Sequence, residues 1–177
     1  MRKALYFLGI LDDSDVEWMI RHGQKMALSP GTVLIEQGQP TDWLYFVLNG
    51  ALEVYTRATP DVTVLKVGDV VGEVSFVDAR PPTASVRAQV ESRVGAIPRR
   101  LIMERLREDT GFAARFYQSI AIFLADRLRA YMGKVDRQKP ELNESIEDED
   151  ELAAHLLSNI SMAGARFAEM QRREWGV

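Results

Sequence analysis

The sequence predicts an α+β fold in which an antiparallel roll or barrel of short strands is bracketed by helices. Three observations carry this reading. Turn residues recur at short intervals between Pro30 and Ile97, β-branched and aromatic runs fill the intervals, and after Pro98 the apolar spacing switches to three and four residues. The opening segment Met1–Leu11 is apolar enough to pass for a short signal peptide. It runs into Asp12-Asp13 with no small-residue cleavage site, so it is read as structure. Ser14, ahead of Asp15-Val16-Glu17-Trp18-Met19-Ile20, predicts a helix start with acidic residues in the first turn, and Gly23 predicts its end.

Strands follow. Thr32 to Glu36 is β-branched and closes on Gly38-Gln39-Pro40. Trp43 to Leu48 is continuously apolar, as expected of a strand covered on both faces. Asn49-Gly50 predicts a tight hairpin into Ala51–Arg57, where Leu52 and Val54 share one face and Glu53 and Tyr55 the other. Thr59-Pro60-Asp61 turns the chain into Val62–Val67, and Gly68-Asp69 turns it again into Val70-Val71-Gly72. Two further strands are expected, Ala84–Gln89 and Arg93–Ile97.

Beyond Pro98, one helix is predicted over Arg99–Arg107, with Leu101, Ile102 and Leu106 on one side. A longer one covers Thr110–Lys134, with a broad apolar stripe of Ala113, Phe116, Tyr117, Ile120, Phe123, Leu124, Leu128 and Tyr131. Residues 135–150 read as an acidic linker. Residues 151–177 read as a C-terminal amphipathic helix with a narrow seam of Leu152, Leu156, Ile160, Ala163, Phe167 and Met170.

Several function classes are disfavoured. The chain has no cysteine, hence no disulfide, thiolate metal site or cysteine nucleophile, which fits a cytoplasmic setting. No apolar run approaches a membrane span. Net charge is −4, so no overall electrostatic pull on nucleic acid is expected. His22 and His155 lack metal-ligand spacing, and the acids of Glu147–Glu151 lack the glycine and spacing of a calcium loop. Trp18, Trp43 and Trp175 read as packing residues. With no serine-nucleophile motif and no Walker loop, the chain is not expected to be an enzyme.

The most informative stretch is Gly68-Asp69-Val70-Val71-Gly72-Glu73-Val74-Ser75-Phe76-Val77-Asp78-Ala79-Arg80-Pro81-Pro82-Thr83-Ala84-Ser85-Val86-Arg87-Ala88. It resembles the phosphate-binding cassette of the cyclic-nucleotide-binding domain family, whose usual form is Gly-Glu, a small helical turn, then Arg-Ser/Thr-Ala-Ser/Thr-Val. Pro30-Gly31, Gly38, Leu44–Gly50 and Gly68-Asp69 resemble the glycines and strands of that family's roll. The likeness spans roughly residues 5–134.

The resemblance implies an antiparallel double-stranded β-roll (jelly-roll-like) of about eight strands, with an N-terminal helix, a long helix after the roll and a C-terminal amphipathic helix. It also implies a ligand, cyclic AMP or cyclic GMP, and no cofactor or metal. Gly72 lets the backbone approach that ligand, and Glu73 accepts a ribose hydroxyl. The N–H groups of Val74 and Ser75 face phosphate, and Thr83 adds a hydroxyl. The helix near Phe116–Leu124 resembles the element that covers the base and pairs subunits.

The chain departs from the pattern at Pro82, where the family's phosphate-gripping arginine should stand. Proline carries neither charge nor N–H. Arg80, two residues earlier, is the candidate substitute, although Pro81-Pro82 limits how it curls. Its plainer reading is a solvated loop arginine. For Glu73 the plainer reading is a carboxylate that satisfies backbone N–H groups inside an empty cassette, and Arg87 is read as an outward-facing strand residue.

Two functions are therefore expected. The first is a non-catalytic sensor that takes a cyclic nucleotide or another small anion and relays ligand state through its helices. The second is a degenerate roll used for oligomerisation or protein interaction, with helices 110–134 and 151–175 as the contact surfaces. A DNA-binding factor is disfavoured, because the 43 residues after Lys134 hold an acidic linker and one helix, with no room for a recognition helix and its partner.

Overall fold

The computed structural model describes residues 7–56, 63–136 and 162–176. A helical turn at residues 7–10 leads into α1 (Asp13–His22), and eight strands follow. These are β1 (Gln24–Leu28), β2 (Val33–Ile35), β3 (Trp43–Asn49), β4 (Ala51–Tyr55), β5 (Thr63–Lys66), β6 (Val70–Val71), β7 (Ser85–Ala88) and β8 (Ser92–Pro98). A short helix α2 (Glu73–Asp78) interrupts the strands, and α3 (Arg99–Glu108) and α4 (Thr110–Asp136) follow them. A last helix, α5, covers 162–172. The strands form two antiparallel four-stranded sheets, ordered β1-β8-β3-β6 and β2-β7-β4-β5. The expected α+β fold with an eight-stranded roll is what the chain adopts.

Strand β3 explains why its sequence is apolar throughout. Tyr45 and Val47 point into the roll with Leu52, Val71 and Val86. Leu44, Phe46 and Leu48 point the other way, into a second core built with Phe7, Met19, Phe112, Phe116, Ile120 and Phe123 of the helices. Alternation along the strand thus buries both faces. Strand β8 does the same, with Val94 and Ala96 inside the roll and Ile97 against the helices.

Several expectations are corrected. The helix α1 begins at Asp13 rather than after Ser14, with Asp12 as its cap. The Asp12 carboxylate accepts from the Asp15 N–H, and Asp15 returns the contact to the Asp12 N–H, a reciprocal capping box. Asn49-Gly50 is not a hairpin, because β3 and β4 lie in different sheets. It is a corner at which Gly50 takes φ +82°, and a Cβ there would fall 2.3 Å from the Ser92 hydroxyl. That hydroxyl instead accepts from the Ala51 N–H at 3.1 Å.

Strand β1 was not anticipated. Its Gln-Lys-Met-Ala-Leu sequence lacks clean alternation because it is an edge strand, largely open along its length and paired only to β8. The turn expected at Thr59-Pro60-Asp61 lies outside the described residues, as do most of the acidic linker and the upper seam of Leu152, Leu156 and Ile160.

The rest of that seam docks on the chain's own core. Ala163, Phe167 and Met170 are buried beside α1 and the sheet, and Trp175 follows them. Polar contacts fix the position: Gln171 donates to the Leu48 carbonyl at 2.6 Å, Arg166 to the Leu8 carbonyl at 2.9 Å, and the Gly176 N–H to the Ile20 carbonyl at 3.0 Å.

Candidate functional site

Between β6 and β7 the chain builds the candidate site from one continuous stretch. Gly72 adopts φ +93°, which favours glycine, and brings the backbone so close to β3 that a Cβ would sit 2.9 Å from the Trp43 carbonyl oxygen. This turn starts α2, whose first residue is Glu73. Helix α2 ends at Ala79, itself in the left-handed region at φ +57°. From there Arg80-Pro81-Pro82 runs to β7, pinned where the Gly38 N–H donates to the Pro82 carbonyl at 2.8 Å.

A cavity of about 440 Å³ opens over this stretch. Its apolar wall comes from the roll, through Ile35, Val54, Leu65, Val71 and Val86, and its polar edge from the cassette. All six residues expected at the site (Gly72, Glu73, Val74, Ser75, Arg80 and Thr83) line it, and so does Pro82. Val74, Arg80 and Thr83 are exposed at its mouth, whereas Glu73 and Ser75 are buried. The Arg80 main chain donates to Asp78 at 3.0 Å. Arg87 faces outward as expected, over the Tyr55 ring and paired with Glu53.

Sequence reasoning missed the residue that most changes this site. The Glu73 carboxylate accepts from the Arg127 guanidinium, which reaches into the cavity from α4. The Glu73 side chain is 3% exposed and that of Arg127 34%. Glu73 is thus neither open to ligand as it stands nor held by backbone N–H groups alone. The signal for Arg127 lay in the helix periodicity. Phe112, Phe116, Ile120 and Phe123 are all buried in steps of four and three, and the next position on that stripe is Arg127. The stripe expected from the sequence was rotated: Tyr117 and Leu128 are exposed, and Phe112 is the buried residue it omitted.

A second missed arginine ties α2 to α3. Arg99 donates to the Ser75 carbonyl at 2.6 Å and the Phe76 carbonyl at 3.3 Å, and lies over the Phe76 ring at 5.1 Å. It adds a second donor to the Ser75 carbonyl, which already accepts from the Ala79 N–H at 3.1 Å, and supplies one to the Phe76 carbonyl near the end of a six-residue helix. The cassette is therefore linked to α3 by Arg99 and to α4 by Arg127.

Burial pushes the Glu73 carboxyl above its ordinary range, and the nearby Arg127 charge only partly offsets this. A carboxyl raised in the folded state favours folding most below its unfolded pKa, and that contribution is lost as pH rises through the folded value. Against Glu73→Gln as an uncharged reference, the wild type is expected to lose relative stability as pH rises above the ordinary glutamate range. Thermal melts of both proteins across and above that range read the difference. A gap that instead favours the wild type more at higher pH would mean that the Arg127 pair outweighs the burial of the charge.

With the geometry in view, the comparisons with known proteins are direct. The sequence profile of the cyclic nucleotide-binding domain matches residues 25–109. The roll belongs to the cyclic nucleotide-binding domain family. A cAMP-dependent protein kinase regulatory subunit from Emericella nidulans is 34% identical over 70 residues, 39% of this chain and 17% of that protein. A human voltage-gated delayed rectifier potassium channel is 28% identical over 135 residues, 75% of this chain and 14% of the channel. The chain therefore spans about a sixth or less of the length of these relatives. Among solved structures, a cyclic nucleotide-binding domain from Methylobacillus flagellatus superposes with a TM-score of 0.67 at 18% identity, over 82% of this chain and 86% of that one.

Among the described residues no helix is long and apolar enough to cross a membrane, and no cluster of histidine, aspartate and glutamate is arranged to hold a metal. His22 sits at the end of α1 with Nδ1 2.9 Å from the Trp18 carbonyl oxygen.

Proposed function

We propose that this cyclic nucleotide-binding domain is a non-catalytic regulatory module, a cytoplasmic sensor that takes cyclic AMP or cyclic GMP in the cavity over Gly72–Thr83. One observation carries the reading: Glu73, buried at the polar edge of an open cavity, is tied directly to the long helix after the roll through Arg127. A ligand that occupies the cavity competes for that pair, so binding acts on α4 without an intermediary. Ligand binding shifts the helix only as far as it favours one helix position over the other. Relatives in a kinase regulatory subunit and in voltage-gated channels support a controlling rather than a catalytic part.

Isothermal titration with cyclic AMP and cyclic GMP tests this. Micromolar binding that is lost or much weakened in Glu73→Ala is the expected result. No heat and no thermal shift at millimolar ligand would refute the sensor.

Two observations favour a second reading, in which the roll binds no nucleotide and serves assembly or a protein partner. Pro82 stands where the cassette's cation is expected, and Tyr117, Leu128 and Met132 are exposed along α4 at helical spacing. On this reading the protein self-associates at micromolar concentration, and Leu128→Glu abolishes the dimer in sedimentation velocity runs. The acidic chain is not expected to bind DNA on either reading.

A further inference from the structure

We infer that Arg127 is the anion-binding residue of the pocket: it leaves Glu73 for the phosphate of a bound cyclic nucleotide, while a ligand hydroxyl takes its place on the Glu73 carboxylate. The inference rests on the sensor reading above and names the residue that makes it work without a cassette arginine.

The cavity lining holds two cations, Arg80 and Arg127. Arg80 is exposed, and it lines a neighbouring depression with Thr41, Asp42 and Arg99 as well as the cavity mouth. An anion there is shared with water and worth little. Arg127 is different. Its side chain is about two-thirds covered, it lines the cavity from α4, and it already pairs with an oxyanion, the Glu73 carboxylate. Planar, bidentate recognition suits a phosphate as well as a carboxylate.

Charge decides whether the exchange is reasonable. A carboxylate this buried needs donors, and a phosphate entering beside it adds a second negative charge. Taking Arg127 away from Glu73 is tolerable only if the ligand supplies a replacement donor, and a nucleotide ribose carries one on the same molecule. A simple anion has no such hydroxyl, so the exchange selects a ligand that joins a hydroxyl donor to a phosphate. Arg80 at the mouth balances the extra charge, and the exposed Asp78 stays hydrated.

The outcome differs from a cassette arginine in one respect. The phosphate is gripped from α4, so the residue that senses the ligand and the helix that moves are the same element.

The test is isothermal titration of cyclic AMP and cyclic GMP into the wild type, Arg127→Gln, Arg127→Lys and Arg80→Gln, each with a thermal melt. Arg127→Gln is expected to weaken binding roughly tenfold or more, the loss of one charge-assisted contact. Arg127→Lys is expected to recover most of that loss, and Arg80→Gln to change binding less than threefold. Because Arg127→Gln strands a buried carboxylate and risks misfolding, Glu73→Gln/Arg127→Gln is compared with Glu73→Gln, and the same weakening is expected there. Wild-type affinity in Arg127→Gln, or a tenfold loss in Arg80→Gln alone, overturns the assignment and leaves the sensor standing. No binding by the wild type at millimolar ligand overturns the sensor and the assignment with it.

Discussion

Replacing Asp15 by alanine is expected to cost about 3–5 kcal/mol of folding stability, the usual consequence of removing one partner from a buried ion pair. Asp15 is fully buried near the start of α1. Its carboxylate accepts from Arg105 of α3 at 2.8 Å and from Arg115 of α4 at 2.6 and 3.0 Å, besides the Asp12 N–H at 3.1 Å. Arg105 is 13% exposed and stacks on Phe112 and Trp18, so without Asp15 its charge stays buried with only the longer Asp109 contact at 3.7 Å. Arg115, at 31%, re-solvates more readily.

Asp15→Asn keeps the shape but not the charge, and is expected to fall between the alanine variant and wild type. Urea unfolding measures both, with an unchanged slope as the sign that the native state is otherwise intact. A loss below about 1 kcal/mol for the alanine variant would place these arginines in the range of ordinary surface pairs. The cluster joins α1, α3 and α4, which is where it bears on the proposed sensor reading. A helix α4 displaced by ligand has to carry α1 with it or break the Asp15–Arg115 contact.

Trp175→Ala is the second large effect, expected at about 3–5 kcal/mol as for other buried aromatic truncations. The indole packs against backbone in a slot made by two glycines, Gly23 and Gly95. A Cβ at Gly95 would fall 2.2 Å from it, and one at Gly23 2.6 Å. Its Nε1 donates to the Met170 carbonyl at 2.9 Å.

Gly95→Ala, which fills the slot from the other side, is expected to cost about 1–3 kcal/mol by overpacking. In the double variant the alanine methyl meets no indole, so the combined loss is expected to be smaller than the sum. Chemical denaturation reads the energies. Amide exchange over residues 162–172 reads whether α5 leaves its site, as expected when the tryptophan that anchors its end is gone. Additive losses with unchanged exchange would show that the C-terminal segment is held by Phe167 and Met170 instead.

Much of this molecule was legible before any coordinates. Strand β3 was readable because a strand buried on both faces has only one kind of residue to offer, and the shift from strand to helix after Pro98 was readable from spacing. The cassette was readable because its residues are contiguous: Gly72, Glu73, Val74, Ser75, Arg80 and Thr83 fall on one cavity since a turn, a short helix and an extended segment keep neighbours together. The edge strand β1 was not, because a strand exposed along most of its length needs no alternation. Nor was the corner at Asn49-Gly50, since a glycine with positive φ serves a change of sheet as well as a hairpin.

The sequence by itself determined the class of fold, the order of its elements apart from β1, the family and the contiguous stretch that forms the polar edge of the cavity, all of which rest on local patterns. The partners of charged side chains were settled only by the tertiary structure. Glu73 meets Arg127 across 54 positions, and Asp15 meets Arg105 across 90. Trp175 finds Gly23 and Gly95 from the far end of the chain. An arginine has the same appearance in sequence whether it lies in water or in a cavity, and only the packing of distant elements decides which carboxylate lies within reach of it.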